Sequence, residues 1–418
     1  MLLSSLGVRR RALLALAGAV LVSAGGIAPP AEAQDIRSRQ WYLDAMKADD
    51  MWKASRGEGV TVAVIDTGVD ASLPELRGQV LQGTDPAAKP KDPRQDSDGH
   101  GTNMAALIAG TGAGGGIQGL APKAKILPIR NVPDDRVDTA DEVMGRAIRY
   151  AADHDVQVIN ISSGAIALPE RFPLTKAAVQ HAIKKGSLIF AASGNSGDKG
   201  NPIELPAGIP GVVGVGAIDS DGTAPRWSTA GDQVVLAAPG VNMVTHCTKS
   251  EGLCSSRGTS QATAIASASA ALIWAKHRKW NSNQVLRVMM QTAGRPKSGE
   301  VPSSYVGYGT IRPRKVLLDG EGDPGPANVN PLLAREGATK PDPSASASAS
   351  KSPSADPQST PTATDDKKGD KETIAEPKKN DDSNSTLWIV IGAGIAVLLA
   401  AAVAIALVRR RGSASAGL

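Results

Sequence analysis

Four short stretches of the chain carry side chains that can do chemistry. Asp66 opens Asp66-Thr67-Gly68 at the end of an apolar run, His100 stands between Gly99 and Gly101, Asn195 follows Gly194, and Ser260 closes Gly258-Thr259-Ser260. Each has an ordinary structural reading. A serine at a helix start caps an unpaired backbone N–H, an asparagine beside glycine suits a turn, and a single histidine in a turn needs no catalytic role. The functional reading is a joint one. A serine hydroxyl is a weak nucleophile unless a base takes its proton and a third group orients that base. Asp66, His100 and Ser260 supply an orienting carboxylate, a base and a hydroxyl. Asn195 adds a side-chain amide able to face a developing oxyanion. Asp-Thr-Gly also marks aspartic peptidases, but those need two carboxylates sharing a proton, and the tripeptide occurs once here.

The elements that must hold these groups can be read from apolar periodicity. Runs at residues 60–65, 124–130, 156–161, 187–192, 212–218 and 233–238 are nearly continuous in Val, Ile, Leu and Ala, as strands of a parallel sheet covered on both faces are. Helical patterns cover 103–109, 140–152, 174–185, 261–277 and 283–292. Such alternation predicts an α/β fold, a doubly wound and mainly parallel sheet with helices on both faces and its site at the carboxyl ends of the strands. Ser260 then falls at the start of a helix, where unpaired N–H groups gather, so capping and catalysis are compatible there.

Composition narrows the function. The 418 residues carry a net charge of +5 and only 3% aromatics, with no basic stripe interleaved with aromatics, so nucleic-acid binding has no support. No cofactor or metal is called for. At the amino end Arg9-Arg10-Arg11, a short apolar run and Ala31-Glu32-Ala33 predict a signal peptide over 1–33. Residues 387–408 are uncharged and apolar, long enough for a transmembrane helix, and Arg409-Arg410-Arg411 follows at once. The positive-inside rule puts the short tail, 409–418, in the cytoplasm and the rest outside a single-pass cell-membrane protein. Between 321 and 386 the chain is rich in Pro, Ser, Ala, Asp and Lys and predicts a disordered tether. The folded domain is left as 34–320. Its two cysteines, Cys247 and Cys254, form a close even pair, which outside the cell favours a disulfide over a metal site using His246. Asp92, Asp96 and Asp98 read as solvated acids on a polar loop.

Taken together, VAVIDTGVD, HGTNMAALIAG and GTSQATAIASASA resemble the Asp, His and Ser blocks of the subtilisin-like serine peptidases. The likeness runs from Trp41 to about Leu318. It implies that Asp66 orients, that His100 is general base and acid, that Ser260 is the nucleophile, and that Asn195 with the Ser260 N–H forms the oxyanion hole. It also implies that Ser162, Ser163 and Gly164 pair with substrate backbone, with residues 191–194, Gly194 among them, walling a specificity pocket. Protein or peptide substrates follow. Signal peptide, catalytic domain, tether, one membrane helix and an Arg tail are similar to the mycosins, membrane-anchored subtilases of type VII secretion. That likeness implies secretion-complex membrane proteins as partners, and it allows an alternative in which the chain is mainly a structural subunit of such a complex. Ala264 stands where the family commonly carries a proline.

Overall fold

The computed structural model describes residues 36–133, 139–248, 250–296 and 298–334. The expected signal peptide, most of the tether, the membrane helix and the cytoplasmic tail lie outside the described residues. Among those described, no helix is long and apolar enough to cross a membrane.

Six parallel strands form the central sheet: β1 (Thr61–Asp66), β2 (Lys125–Arg130), β3 (Val158–Ile161), β5 (Leu188–Ala192), β7 (Val213–Ile218) and β8 (Val234–Pro239). Their order is β2-β1-β3-β5-β7-β8. Each matches an expected strand to within two residues at either end. Two short antiparallel ribbons accompany the sheet. Ala165–Ile166 (β4) pairs with Glu204–Leu205 (β6), and Met243–His246 (β9) pairs with Leu253–Ser256 (β10).

The strands alternate their side chains between two cores. Val62 and Val64 face a layer that includes helices α1 (His100–Ala109), α4 (Thr259–Lys276) and α5 (Ser282–Gln291). Ala63 and Ile65 face α2 (Ala140–Asp153) and α3 (Pro173–Lys185). Local chemistry fixes these helices. Thr139 and Glu142 close a capping box at the start of α2, Pro173 occupies the first turn of α3, and the Asp141 carboxylate accepts the Leu174 and Thr175 N–H groups, tying the two together. Helix α4 is buried on nearly every side from Thr259 to Trp274. Its Ala and Ser residues let it lie close against the sheet, and Ala264 sits inside an unbroken helix with no exposed surface.

Strand β1 has β2 on one side and β3 on the other, so chain direction across the sheet reverses there. In an open α/β sheet the crevice beyond that switch point is where ligands bind. Asp66 ends β1 and Ser162 directly follows β3, both at that crevice.

The domain extends further than its composition suggests. A disordered tether is expected from 321, yet residues 321–334 are packed on α5. The Arg287 guanidinium donates to the carbonyls of Pro324, Pro326 and Val329, Asn281 and Asn283 both donate to Ala327, and Leu332 is buried in the core. A polar, proline-rich segment is held here through its backbone carbonyls, which composition does not register.

Candidate active site

Asp66 leaves β1 buried, with Oδ1 accepting the Thr67 N–H at 2.8 Å and facing His100 Nδ1 at 2.8 Å. The Asp66–His100 bond fixes the ring so that Nε2 is the nitrogen left for chemistry. Helix α1 begins at His100 itself, three residues before the expected start at 103. The reason is Asp96. Its Oδ2 accepts both the N–H and the hydroxyl of Thr102, while Oδ1 accepts the N–H of Gly99 and Asp98. Asp96 is therefore a helix cap and not a merely solvated acid, whereas Asp92 and Asp98 are exposed as expected. The close approach of this helix to the Asp66 turn needs Gly101, since a Cβ there would meet Gly68 O and stand 2.9 Å from the Asp66 Cβ. Thr67 Oγ1 accepts the Gly101 N–H at 3.0 Å, completing the junction.

Burial works to lower the His100 pKa, but the Asp66 charge and hydrogen bond, helped by Asp98 and Asp96, outweigh it and hold the imidazole above its ordinary value. The ring is about one-third exposed, so solvent and ligand reach it.

Ser260 is the second residue of α4 and is nearly buried, at 6% exposure. Its hydroxyl donates to Ser162 O at 3.0 Å, rather than to the His100 ring. In return Ser162 Oγ donates to Ser260 O at 3.2 Å, and a buried chain from Ser267 Oγ to Asn160 Oδ1 and from Asn160 Nδ2 to Ser162 Oγ holds that contact in register. Nucleophile and base come from opposite sides of the switch point. Catalytic hydrogen bonds are often incomplete before ligand arrives.

Asn195 is exposed, on the loop after β5. Its Oδ1 accepts the Thr259 N–H at 2.9 Å and the Thr259 hydroxyl at 3.2 Å. A backbone N–H can only donate, so the amide oxygen must face Thr259 and the NH₂ is left to donate beside Ser260. Thr259 Oγ1 also accepts the Gly194 N–H at 3.2 Å. The structure thus adds Thr259 to the residues expected from sequence, as the group that sets the orientation of the asparagine. Of the expected substrate segment, Ser163 Oγ accepts from Asn131 Nδ2 at 3.1 Å, and Gly164 lies open at the surface just before β4.

Cys247 and Cys254 are joined by a disulfide across the β9–β10 ribbon that leads into Gly258. His246 is turned elsewhere, its ring hydrogen-bonded to the buried Glu75 carboxylate. Among the described residues no cluster of three His, Cys, Asp or Glu side chains could hold a metal ion.

A buried aspartate bonded to a histidine, with a serine at a helix start and an amide donor on the loop bonded to that start, defines a serine hydrolase on a parallel α/β scaffold. Residues 57–309 match the subtilase family, and the chain belongs to it. It is 33% identical over 217 residues to the major intracellular serine protease of Bacillus subtilis, covering 50% of this chain and 67% of that one. Subtilisin E of the same organism is 33% identical over 240 residues, 57% of this chain and 61% of the other. The chain thus spans about two-thirds of the length of these relatives. Among solved structures, the MycP3 protease from the type VII (ESX-3) secretion system is 32% identical with a TM-score of 0.58, covering 66% of this chain and 88% of that one. MycP1 from Mycobacterium smegmatis is 29% identical with a TM-score of 0.59, covering 69% and 86%. The likeness to mycosins read from the sequence is therefore also a likeness of structure.

Proposed function

We propose that the chain is a membrane-anchored extracellular serine endopeptidase associated with type VII secretion. The observation that carries the reading is the Asp66–His100 bond at 2.8 Å beside a serine held at the start of α4. Ser260 attacks a peptide carbonyl as His100 Nε2 takes its proton. Asp66 holds the imidazole and stabilises the cation that forms, and the Asn195 NH₂ with the Ser260 N–H receive the oxyanion. His100 then protonates the leaving amine, and water releases the acyl group by the reverse sequence of proton transfers. The apolar, uncharged stretch at 387–408, with Arg409 to Arg411 after it, supports a single membrane anchor with the catalytic domain outside. Similarity to proteases of type VII secretion systems supports membrane proteins of such a complex as partners.

A fluorophosphonate probe tests the reading, with Ser260→Ala as control. Labelling that depends on Ser260 is expected, and its absence from the folded wild-type chain would sink the enzyme. A second, structural role in the complex is favoured by one neighbour, a MycP1 described as an essential component of its secretion system. Secretion that survives Ser260→Ala but not deletion of the chain would place that role first.

A further inference from the structure

Gly164 and Gly194, in the loops after the neighbouring strands β3 and β5, are both close to one side chain that the catalytic steps above do not use. Glu204 lies on β6, opposite Ile166 of β4, in the ribbon that continues directly from Ser162-Ser163-Gly164. Its carboxylate packs against Gly194, the residue before Asn195. A Cβ on Gly194 would collide with Oε1, and Gly194 has a φ of +116°, so glycine there both permits the backbone and leaves room for the carboxylate. A Cβ on Gly164 would stand 3.6 Å from Oε2.

The buried acids of the described residues all have partners: Asp66 has His100, Asp85 has Arg130 at 3.0 Å, Glu75 has His246, and Asp141 accepts the Leu174 and Thr175 N–H groups. Glu204 is half-buried, and none of the described residues forms an ion pair with it. Burial pushes its pKa up, and the Asn195 N–H only partly opposes this. A carboxylate withdrawn from water without a counter-ion is unfavourable, and an arriving cation relieves it.

We propose that Glu204 is a specificity-determining residue, whose carboxylate between Gly164 and Gly194 receives the guanidinium or ammonium of an Arg or Lys in the substrate. The inference rests on the serine endopeptidase reading. Because, on that reading, Asn195 holds the scissile carbonyl and the carboxylate lies against Gly194 beside it, the side chain involved belongs to the residue that supplies the carbonyl. The cleft is thus a site for peptides cut after a basic residue. The small residues around it give the long side chain space, and Glu204 gives its end a charge.

The test uses the full-length chain and four peptidyl p-nitroanilides that differ only in Arg, Lys, Leu or Glu before the scissile bond. Rates are normalised to the fraction that takes the fluorophosphonate label. Wild type is expected to favour Arg and Lys over Leu by about tenfold or more in kcat/KM, and benzamidine, a cationic competitor, to inhibit better than neutral benzamide. Glu204→Gln should reduce the Arg-to-Leu ratio by about tenfold, and Glu204→Lys should bring the Glu substrate above Arg. A labelled wild-type enzyme that cuts the Leu substrate as well as the Arg one overturns the proposal and leaves the peptidase reading standing, a result that needs no variant to fold. An unchanged Arg-to-Leu ratio in labelled Glu204→Gln also overturns it. Absence of both label and cleavage in the wild type overturns the peptidase reading and the proposal with it.

Discussion

The side chain of Asn103 brackets the backbone of His246, donating to its carbonyl at 3.0 Å and accepting its N–H at 2.7 Å. Asn103 sits one turn into the helix that begins at His100, and His246 ends the strand that starts the disulfide-closed ribbon. The base is thereby joined to the segment that delivers the nucleophile. Asn103 is 4% exposed, so Asn103→Ala would leave two enclosed backbone groups without partners. A destabilisation of about 1–3 kcal/mol is expected, measurable by denaturant unfolding, and a loss below about 0.5 kcal/mol would mean water replaces the amide.

Reduction of the Cys247–Cys254 bond should act on the same segment more mildly. The ring it closes is short, with a sequence separation of 7, and chain entropy alone gives about 2 kcal/mol. The midpoint of thermal unfolding should drop by about 4–8 °C in dithiothreitol, while fluorophosphonate labelling at room temperature persists. Labelling lost on reduction below the melting point would mean that the bond holds the site itself.

The pH profile follows from the charges around His100. Its pKa is held above the ordinary value near 6.5, because Asp66, Asp98 and Asp96 outweigh burial. The base must be neutral, so kcat/KM is low below that pKa and rises as pH passes upward through it. Asp98 is exposed and its carboxylate accepts the His100 N–H, a contact that asparagine can keep. Asp98→Asn should therefore move the rising limb to lower pH by about a few tenths of a unit at low salt. A limb that stays put would show that this charge does not reach the imidazole.

Asn195→Ala should lower kcat by about 10²–10³ with little change in KM, the size of effect that removing the corresponding subtilisin donor has. Thr259→Val keeps the amide and removes the hydroxyl that bonds to Asn195 Oδ1, so a smaller fall in kcat is expected. Equal losses in the two variants would contradict a purely orienting role for Thr259.

Acid sensitivity should centre on Glu75. Burial works to raise the pKa of this carboxyl, but the bond to His246 and backbone N–H donors bring it below its usual value. A depressed pKa contributes stability above the unfolded value, and that contribution is lost as pH falls through the folded one. Glu75→Gln should flatten the dependence of stability on pH below about 4.5, and an unaltered slope in urea melts across that range would assign the acid transition to other groups.

Much of this was readable in the chain. All six sheet strands coincide with apolar runs, because a strand covered on both faces has no polar side to interrupt it. Asp66, His100 and Asn195 keep their expected places beside strand ends and helix starts because short glycine-flanked blocks hold them. What escaped depended on pairing distant in sequence. Asp96 looked like one acid among three, and only the direction of α1 makes it a cap. Glu204 sits in Asn-Pro-Ile-Glu-Leu-Pro with nothing beside it to mark a role, which comes from lying opposite Ile166 and under Gly194. The ordered segment after 320 escaped because its partners are backbone carbonyls, present in any sequence.

The bond from Ser260 to the Ser162 carbonyl has a kinetic meaning. On the proposed reading, an incoming peptide strand pairs with the 162–164 segment, and the Ser162 carbonyl its N–H seeks already accepts the nucleophile's own proton. The carbonyl has two lone pairs, but an N–H arriving there competes with that proton and weakens its hold, which favours turning the hydroxyl toward His100. Fluorophosphonates, which carry no backbone N–H, should still label Ser260, and peptidyl phosphonates that carry one should react faster than their size alone explains.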